Sequence, residues 1–219
     1  MTISAVLFDM DGLLVDTEPL WHEVEHETFA ILGGTWSEAD AYAIMGASMA
    51  HATSYMRATS GTDRAEAEIA EMLVSGMVGR LADFEIPIQP GVAELLREVA
   101  DSGIPYALVS ASVRPIVDLV LAFLARSGIP AFPVSVAGDE VARSKPDPMP
   151  YLRAAELLGV DISRAIILED SLNGVRAGEA AGGMVVAVPR VVPIDPGGRV
   201  VVRESLVGLD LATLAAMLD

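Results

Sequence analysis

Apolar and polar positions change rhythm twice along this chain. Residues 3–8, Ile-Ser-Ala-Val-Leu-Phe, form a short apolar run that predicts a buried strand. From Pro19 to about Phe84 the rhythm becomes helical. Leu20-Trp21, Val24, Thr28-Phe29 and Ile31-Leu32 recur at three- and four-residue spacing until Gly33-Gly34. Ser37 with Asp40 three residues on predicts a capped helix over 39–45, ended by Gly46. A third helix is expected over 49–59. A fourth, capped by Asp63, is expected through Ile69, Met72-Leu73 and Met77 to Leu81.

After Gly91 helices and strands alternate. Helices are expected over 92–101, 113–126, 151–158, 174–181 and 211–218, and strands over 105–109, 134–137, 165–168 and 184–188. The stretch 189–198, with three prolines and two glycines, predicts a surface loop. Strands separated by helices indicate an α/β fold: a doubly wound, parallel, Rossmann-like sheet with right-handed crossovers. The expected division is a core of residues 1–16 and 87–219, with an inserted four-helix module over 17–86.

Composition narrows the function classes. With 219 residues and 52% hydrophobic content, the chain can pack a core domain and a small second module. No apolar run reaches the roughly eighteen residues of a membrane span. The N-terminal apolar run lacks a basic flank and is broken by Asp9 and Asp11, unlike a signal peptide. The absence of cysteine excludes disulfides and thiol chemistry and fits a cytoplasmic location. A net charge of -17 argues against nucleic acid and anionic membranes as partners. The helical stretch is especially acidic, with twelve Asp and Glu against three Arg (Arg57, Arg64, Arg80) between Thr17 and Ile86. Lys145 is the single lysine.

The chemistry sits at the ends of the expected strands. Asp9 and Asp11 are two apart, so both emerge on one side as the first strand ends, just before Gly12. Taken alone, Asp-Met-Asp-Gly reads as a polar turn as readily as a site. The later strand ends carry Ser110, a loop with Lys145, and Glu169-Asp170. Separately, each has a plain structural reading: a turn hydroxyl, a solvated loop lysine, a helix cap before Ser171. Jointly, in an open parallel sheet, they gather four carboxylates, a hydroxyl and an ammonium along one edge. Such a group requires a divalent cation, and an all-oxygen donor set suits Mg²⁺. Serine with its following amides, and a lysine, suit a phosphate.

Four segments carry a family resemblance: Phe8-Asp9-Met10-Asp11-Gly12, Val109-Ser110-Ala111-Ser112, Ser144-Lys145-Pro146-Asp147-Pro148 and Leu168-Glu169-Asp170-Ser171. They resemble motifs one to four of the haloacid dehalogenase (HAD) superfamily, with a helical cap inserted after the first. Asp16-Thr17-Glu18-Pro19-Leu20-Trp21 is similar to the β-phosphoglucomutase-like sugar phosphatases within it. The resemblance implies a Mg²⁺-dependent phosphatase acting on a small phosphorylated sugar or polyol through an aspartyl phosphate. Asp9 would be the nucleophile and a metal ligand. Asp11 would be the acid/base and a backbone metal ligand. Ser110, Ala111 and Lys145 would hold the phosphoryl group, and Glu169 and Asp170 would complete the metal site.

Rival readings are weighed on particular residues. A dehalogenase has no need of Asp11, and a phosphonate hydrolase of this superfamily uses a cap lysine that is absent here. A sugar phosphomutase holds a second phosphate, commonly with Arg in a Gly-x-Ser-Arg segment. The matching stretch is Gly46-Ala47-Ser48-Met49, although Arg57 or Arg64 could substitute. A receiver domain places its acceptor Asp on a middle strand and carries no inserted helices. Cap contacts to substrate are expected from Trp21, His22 and the 46–48 turn, with interior packing the competing role for Trp21 and plain surface exposure for His22.

Overall fold

The computed structural model describes residues 2–83, 85–190 and 192–218. Phe84, at the expected end of the helical stretch, lies outside the described residues. Six strands form one parallel sheet: β1 (Ala5–Phe8), β2 (Tyr106–Val109), β3 (Val134–Val136), β4 (Ala165–Glu169), β5 (Met184–Ala187) and β6 (Val200–Val202). Their spatial order is β3-β2-β1-β4-β5-β6. The chain turns from one half of the sheet to the other between β1 and β4, a topological switch point of the kind at which open α/β sheets bind ligands.

Each central strand is buried on both faces, and alternate residues belong to different cores. Val6, Phe8, Leu108, Ile166, Leu168 and Val186 enter one cluster with α5 (Val92–Ser102) and α6 (Arg114–Arg126). Ala5, Leu7, Ala107, Val109, Ala165, Ile167, Val185 and Ala187 enter the other, with α7 (Met149–Leu158) and α8 (Leu172–Ala181). The terminal helix α9 (Leu211–Ala216) packs on α5. The α/β, doubly wound expectation therefore holds, with one strand more than the sequence indicated.

That strand, β6, is a correction. It pairs with β5 in register Val185 with Val200 through Ala187 with Val202, directly after the 189–198 stretch. Three residues at a sheet edge are too short to display a period. Four helices precede α5 between β1 and β2: α1 (Glu18–Ile31), α2 (Glu38–Ile44), α3 (Met49–Ser60) and α4 (Glu66–Asp83). The Ser37–Asp40 capping box is present. Asp63 is not the cap of α4: the helix begins at Glu66, and the Ala65 amide donates to Glu68 Oε2 at 2.8 Å.

The two connections into this helical insertion lie side by side. Asp16 N–H donates to the Pro87 carbonyl at 2.8 Å and Gln89 N–H to the Leu14 carbonyl at 2.9 Å, an antiparallel bridge centred on Val15 and Ile88. Before it, Gly12 adopts φ +81° and turns the chain at once. The insertion thus leaves the core immediately after Asp9 and Asp11, which places its helices over the strand ends.

Candidate active site

β1 ends at Phe8, and Asp9 follows as a buried carboxyl whose amide donates to the Leu168 carbonyl of the adjacent β4 at 3.0 Å. This tie sets Asp9 beside Glu169, the last residue of β4, and Asp170 just beyond it. One oxygen from each of Asp9, Glu169 and Asp170 lies within 4.8 Å of the others. Two glycines make room for the group. A Cβ on Gly12 would sit 2.0 Å from Asp170 Oδ2, and a Cβ on Gly174 would sit 1.6 Å from Glu169 Oε1.

Lys145 reaches this group from the loop after β3 and is 3% exposed. Its Nζ donates to Asp9 Oδ1, to Glu169 Oε1 at 2.6 Å and to the Val109 carbonyl at 2.9 Å. Glu169, with no exposure, is saturated. Oε1 also accepts from the Tyr151 hydroxyl at 2.8 Å, while Oε2 accepts from the Asp170 and Ser171 amides at 3.0 Å and from Ser171 Oγ at 3.1 Å. Ser171 also caps α8 by accepting from Gly174 N–H. The helix-cap reading of this junction therefore belongs to Ser171, which leaves Asp170 facing the cavity.

Asp11 lies on the other side of the turn and is held by three hydroxyls. Thr17 donates to Oδ1 at 2.6 Å, and Ser110 and Ser112 donate to Oδ2 at 3.1 and 2.9 Å. Ser110 is fully buried and also accepts from the Ser112 amide at 2.9 Å. It lies beneath the cavity, whereas Ala111 and Ser112 face it. The structure thus brings together Asp9, Asp11, Ser110, Ala111, Lys145, Glu169 and Asp170. Thr17, Ser112 and Tyr151 were not singled out from sequence, because their partners are set by tertiary folding. Only the position of Thr17 and Ser112 beside family-like motifs hinted at them.

The electrostatics show what the group lacks. Burial, and then the charge of Glu169, pushes the Asp9 carboxyl up to about 8, against the pull of Lys145. Burial, followed by the charges of Asp9 and Glu169, holds Asp170 well above the usual carboxylate range. Burial works against the charge on Lys145, but Asp9 and Glu169 together raise its pKa above normal, so it stays an ammonium. Tyr151 is raised well above its ordinary value by burial and by Glu169, so its hydroxyl remains a donor. One ammonium does not neutralise three buried carboxyls. The oxygen donors of Asp9 and Asp170 therefore fit a hard divalent cation, whose charge would let both ionise.

A cavity of about 310 Å³ opens from these residues toward the helices. Asp9, Asp11, Ala111, Ser112, Lys145 and Asp170 line its floor. Glu18, Trp21, His22 and Glu25 of α1, the 41–47 segment and Met49 line its opposite wall. Trp21 is half-buried and His22 exposed, and both line the cavity. The Asn173 amide donates to the Gly46 carbonyl at 3.1 Å, joining the insertion to the α8 end of the site.

The family model described as haloacid dehalogenase-like hydrolase matches residues 6–188. The chain belongs to this family. It is therefore an enzyme of the HAD phosphatase type. It is 35% identical over 195 residues to Protein CbbY of Cereibacter sphaeroides, covering 85% of this chain and 84% of that one. It is 31% identical over 191 residues to Hexitol phosphatase B of Escherichia coli K12, covering 85% and 84%. A crystal structure of a CbbY mutant from Rhodobacter sphaeroides, in complex with xylulose-(1,5)bisphosphate, superposes with a TM-score of 0.83 at 32% identity, covering 97% of this chain and 99% of that one. β-Phosphoglucomutases are among the structural neighbours of this HAD enzyme.

Proposed function

We propose that this enzyme is a Mg²⁺-dependent phosphomonoesterase that hydrolyses a small sugar or polyol phosphate through an aspartyl phosphate on Asp9. The observation that supports it most is the pairing of two differently held aspartates. Asp9 is buried against Lys145 and the acidic group. Asp11, two residues on, is held on hydroxyls at the cavity floor.

In this reading Asp9 attacks phosphorus, forming an Asp9 O–P bond as the ester P–O bond breaks. Asp11 gives its proton to the departing alkoxide. A water molecule then attacks the aspartyl phosphate, Asp11 accepts its proton, and phosphate leaves with Asp9 restored. Lys145, the Ala111 amide and the Ser110–Ser112 turn face the charge that spreads over the equatorial oxygens, which is most of what phosphoryl transfer requires. Asp9, Asp170 and the backbone carbonyl of Asp11 would hold the Mg²⁺. Glu169, with both oxygens already occupied, would contribute through water. The ion would supply positive charge against the phosphate oxygens and relieve the repulsion among the carboxyls.

We assign residues 17–86 to a cap domain and 1–16 with 87–219 to the catalytic core. The paired connections at 15 and 88 suit a hinge on which the cap closes to exclude water. A phosphomutase would require a cation on the cap wall for a second phosphate. Met49 stands there, while Arg57 and Arg64 pair with Glu66 and Glu68 and do not line the cavity. Hydrolysis is the better reading. The absence of cysteine fits a cytoplasmic setting, and no described helix is long and apolar enough to cross a membrane.

The test is release of inorganic phosphate from an aryl phosphate, and then from a panel of phosphorylated sugars and polyols, with and without Mg²⁺. Isomerisation of a sugar 1-phosphate without phosphate release would overturn this reading in favour of a mutase.

A further inference from the structure

The turn that receives the phosphoryl group is held from behind by the loop after β3, which the chemistry above uses only for Lys145. Ala111 lines the cavity, and its N–H has no acceptor among the described residues. The residues on either side of it are tied down. Ser110 N–H donates to the Val136 carbonyl at 3.0 Å, and the Ser112 carbonyl accepts from Gly138 N–H at 2.8 Å. The 110–112 turn is thus fastened to residues 136–138, where β3 ends and a 3₁₀ turn (Gly138–Glu140) begins.

Gly138 makes the closest approach. A Cβ there would lie 2.1 Å from the Ala111 carbonyl oxygen and 2.8 Å from its carbonyl carbon. Both are backbone atoms, which cannot swing aside as the tip of a side chain can. Gly138 is not among the glycines with positive φ, so its backbone would accept alanine. Only the contact with Ala111 excludes a side chain.

Arg114, the first residue of α6, closes the arrangement. Its amide donates to Asp139 Oδ1 at 2.9 Å. Its guanidinium grips Glu140 with two donors, Nε to Oε1 at 3.0 Å and Nη2 to Oε2, and Nη1 donates to Ser135 Oγ at 2.9 Å. Glu140 Oε2 also accepts from Ala137 N–H at 2.9 Å. Hydrogen bonding to Arg114 holds the Glu140 carboxyl below its usual range, so the fork is charged on both sides at neutral pH. Such a bidentate pair fixes direction as well as distance. Neither Arg114 nor Glu140 lines the cavity, so they act on it only through the loop they hold. That loop runs on to Lys145, whose Nζ bonds the Val109 carbonyl just before the turn. A simple tie of α6 to β3 would explain the bond from Arg114 to Ser135. It would not explain a glycine pressed against the Ala111 carbonyl.

We propose that Gly138 and Arg114 are positioning residues for phosphoryl transfer: Arg114, through Glu140 and Asp139, presses the loop after β3 onto the 110–112 turn, and Gly138 lets it seat closely enough to aim the Ala111 N–H at a phosphoryl oxygen. This rests on the phosphomonoesterase reading above. Donors set in place beforehand stabilise the charge that develops in the transition state, and a misplacement of about 1 Å is enough to lose much of that effect.

The test follows Gly138→Ala, Arg114→Met and Arg114→Lys by Mg²⁺-dependent hydrolysis of an aryl phosphate, calorimetric binding of inorganic phosphate in Mg²⁺, and thermal melts. Gly138→Ala should lower kcat about 100-fold and weaken phosphate binding about tenfold. Arg114→Met should lower kcat about tenfold, and Arg114→Lys, which keeps the charge but not the fork, should recover little of it. The Mg²⁺ concentration for half-maximal activity should stay within about twofold of wild type in all three, because Asp9 and Asp170 are untouched. A merely structural role would lower the melting temperature and the folded fraction, but not kcat or phosphate affinity per folded molecule. If Gly138→Ala does not fold, Arg114→Met, at a half-buried position, decides. The proposal is overturned if the folded variants keep kcat and phosphate affinity within about twofold of wild type, if Arg114→Lys is fully active, or if the Mg²⁺ requirement shifts as far as phosphate binding does. Absence of any phosphate release by the wild type would instead overturn the phosphatase reading. The comparison of phosphate binding would still decide this proposal.

Discussion

Lys145 Nζ and Glu169 Oε1 are 2.6 Å apart in the interior, and that ion pair joins the loop after β3 to the end of β4. Neither group reaches solvent to any useful extent, so each depends on the other and on Asp9, Tyr151 and the Val109 carbonyl. Removing one member of a buried pair leaves an uncompensated charge. Lys145→Met should therefore cost about 3–5 kcal/mol of stability. Glu169→Gln, which keeps the shape and some hydrogen bonding, should cost about 1–3 kcal/mol. Urea denaturation in the absence of metal reads both, and equal small losses would show that the pair contributes little. Both variants should also lose most phosphatase activity.

Gly174 predicts the same dependence from the backbone side. Its position on α8 is helical, and alanine is a better helix former than glycine. Elsewhere on an exposed helix face, Gly→Ala would stabilise. Here a Cβ would lie 1.6 Å from Glu169 Oε1, so Glu169 must leave its place against Lys145. Gly174→Ala should destabilise by roughly 1–3 kcal/mol and lower activity by an order of magnitude or more. A rise in melting temperature with full activity would contradict the packing described.

The acids of α1 make a pH prediction. Burial, then the charge of Glu18, pushes Glu25 up to about 8, and burial, then Asp11 and Asp16, pushes Glu18 up to about 7. In the unfolded chain both titrate near ordinary carboxylate values. A raised folded pKa means that the folded state holds more protons between the two values, so stability falls as pH rises. The metal-free protein should be most stable near pH 5 and lose stability through pH 7 to 8. Glu25→Gln should flatten that decline, as melting temperature against pH will show. A decline unchanged in Glu25→Gln would mean that Glu25 titrates normally.

Most of the fold was readable because its signals are local. The unbroken apolar runs Val6-Leu7-Phe8 and Ile166-Ile167-Leu168 report a sheet covered on both faces whatever packs against it. β6 escaped because Val200–Val202 is too short to show a period. The start of α4 differs because Asp63, a good capping residue, is followed by two residues, Arg64 and Ala65, that stand outside the helix. The site divides in the same way. Asp9, Asp11, Lys145 and Glu169-Asp170 announce themselves by residue type at strand ends. Tyr151, Thr17 and Ser112 act through partners 18, 6 and 101 residues away, a relationship only the folded chain creates. Glu25 reads in sequence as one more acid on an acidic helix; its enclosure beside Trp36 is a property of packing.

The last prediction separates the cost of the site from its use. Asp9 is raised to about 8 because it is buried among like charges, so its ionised form destabilises the metal-free protein at neutral pH and above. Asp9→Asn removes that charge without changing the size of the side chain, and Lys145 retains Glu169 as a partner. The variant should be inactive, losing roughly 10⁴-fold or more in turnover, as expected when a nucleophile is replaced. Above pH 8 in chelator it should nonetheless melt at the wild-type temperature or higher. Mg²⁺ should then invert the order, because a ligand that binds only the folded state stabilises in proportion to its affinity. The wild-type melting temperature should rise by several degrees with millimolar Mg²⁺, and those of Asp9→Asn and Asp170→Asn by much less. An equal Mg²⁺ response in all three proteins would move the metal away from Asp9 and Asp170, and with it the reason these carboxyls are buried together.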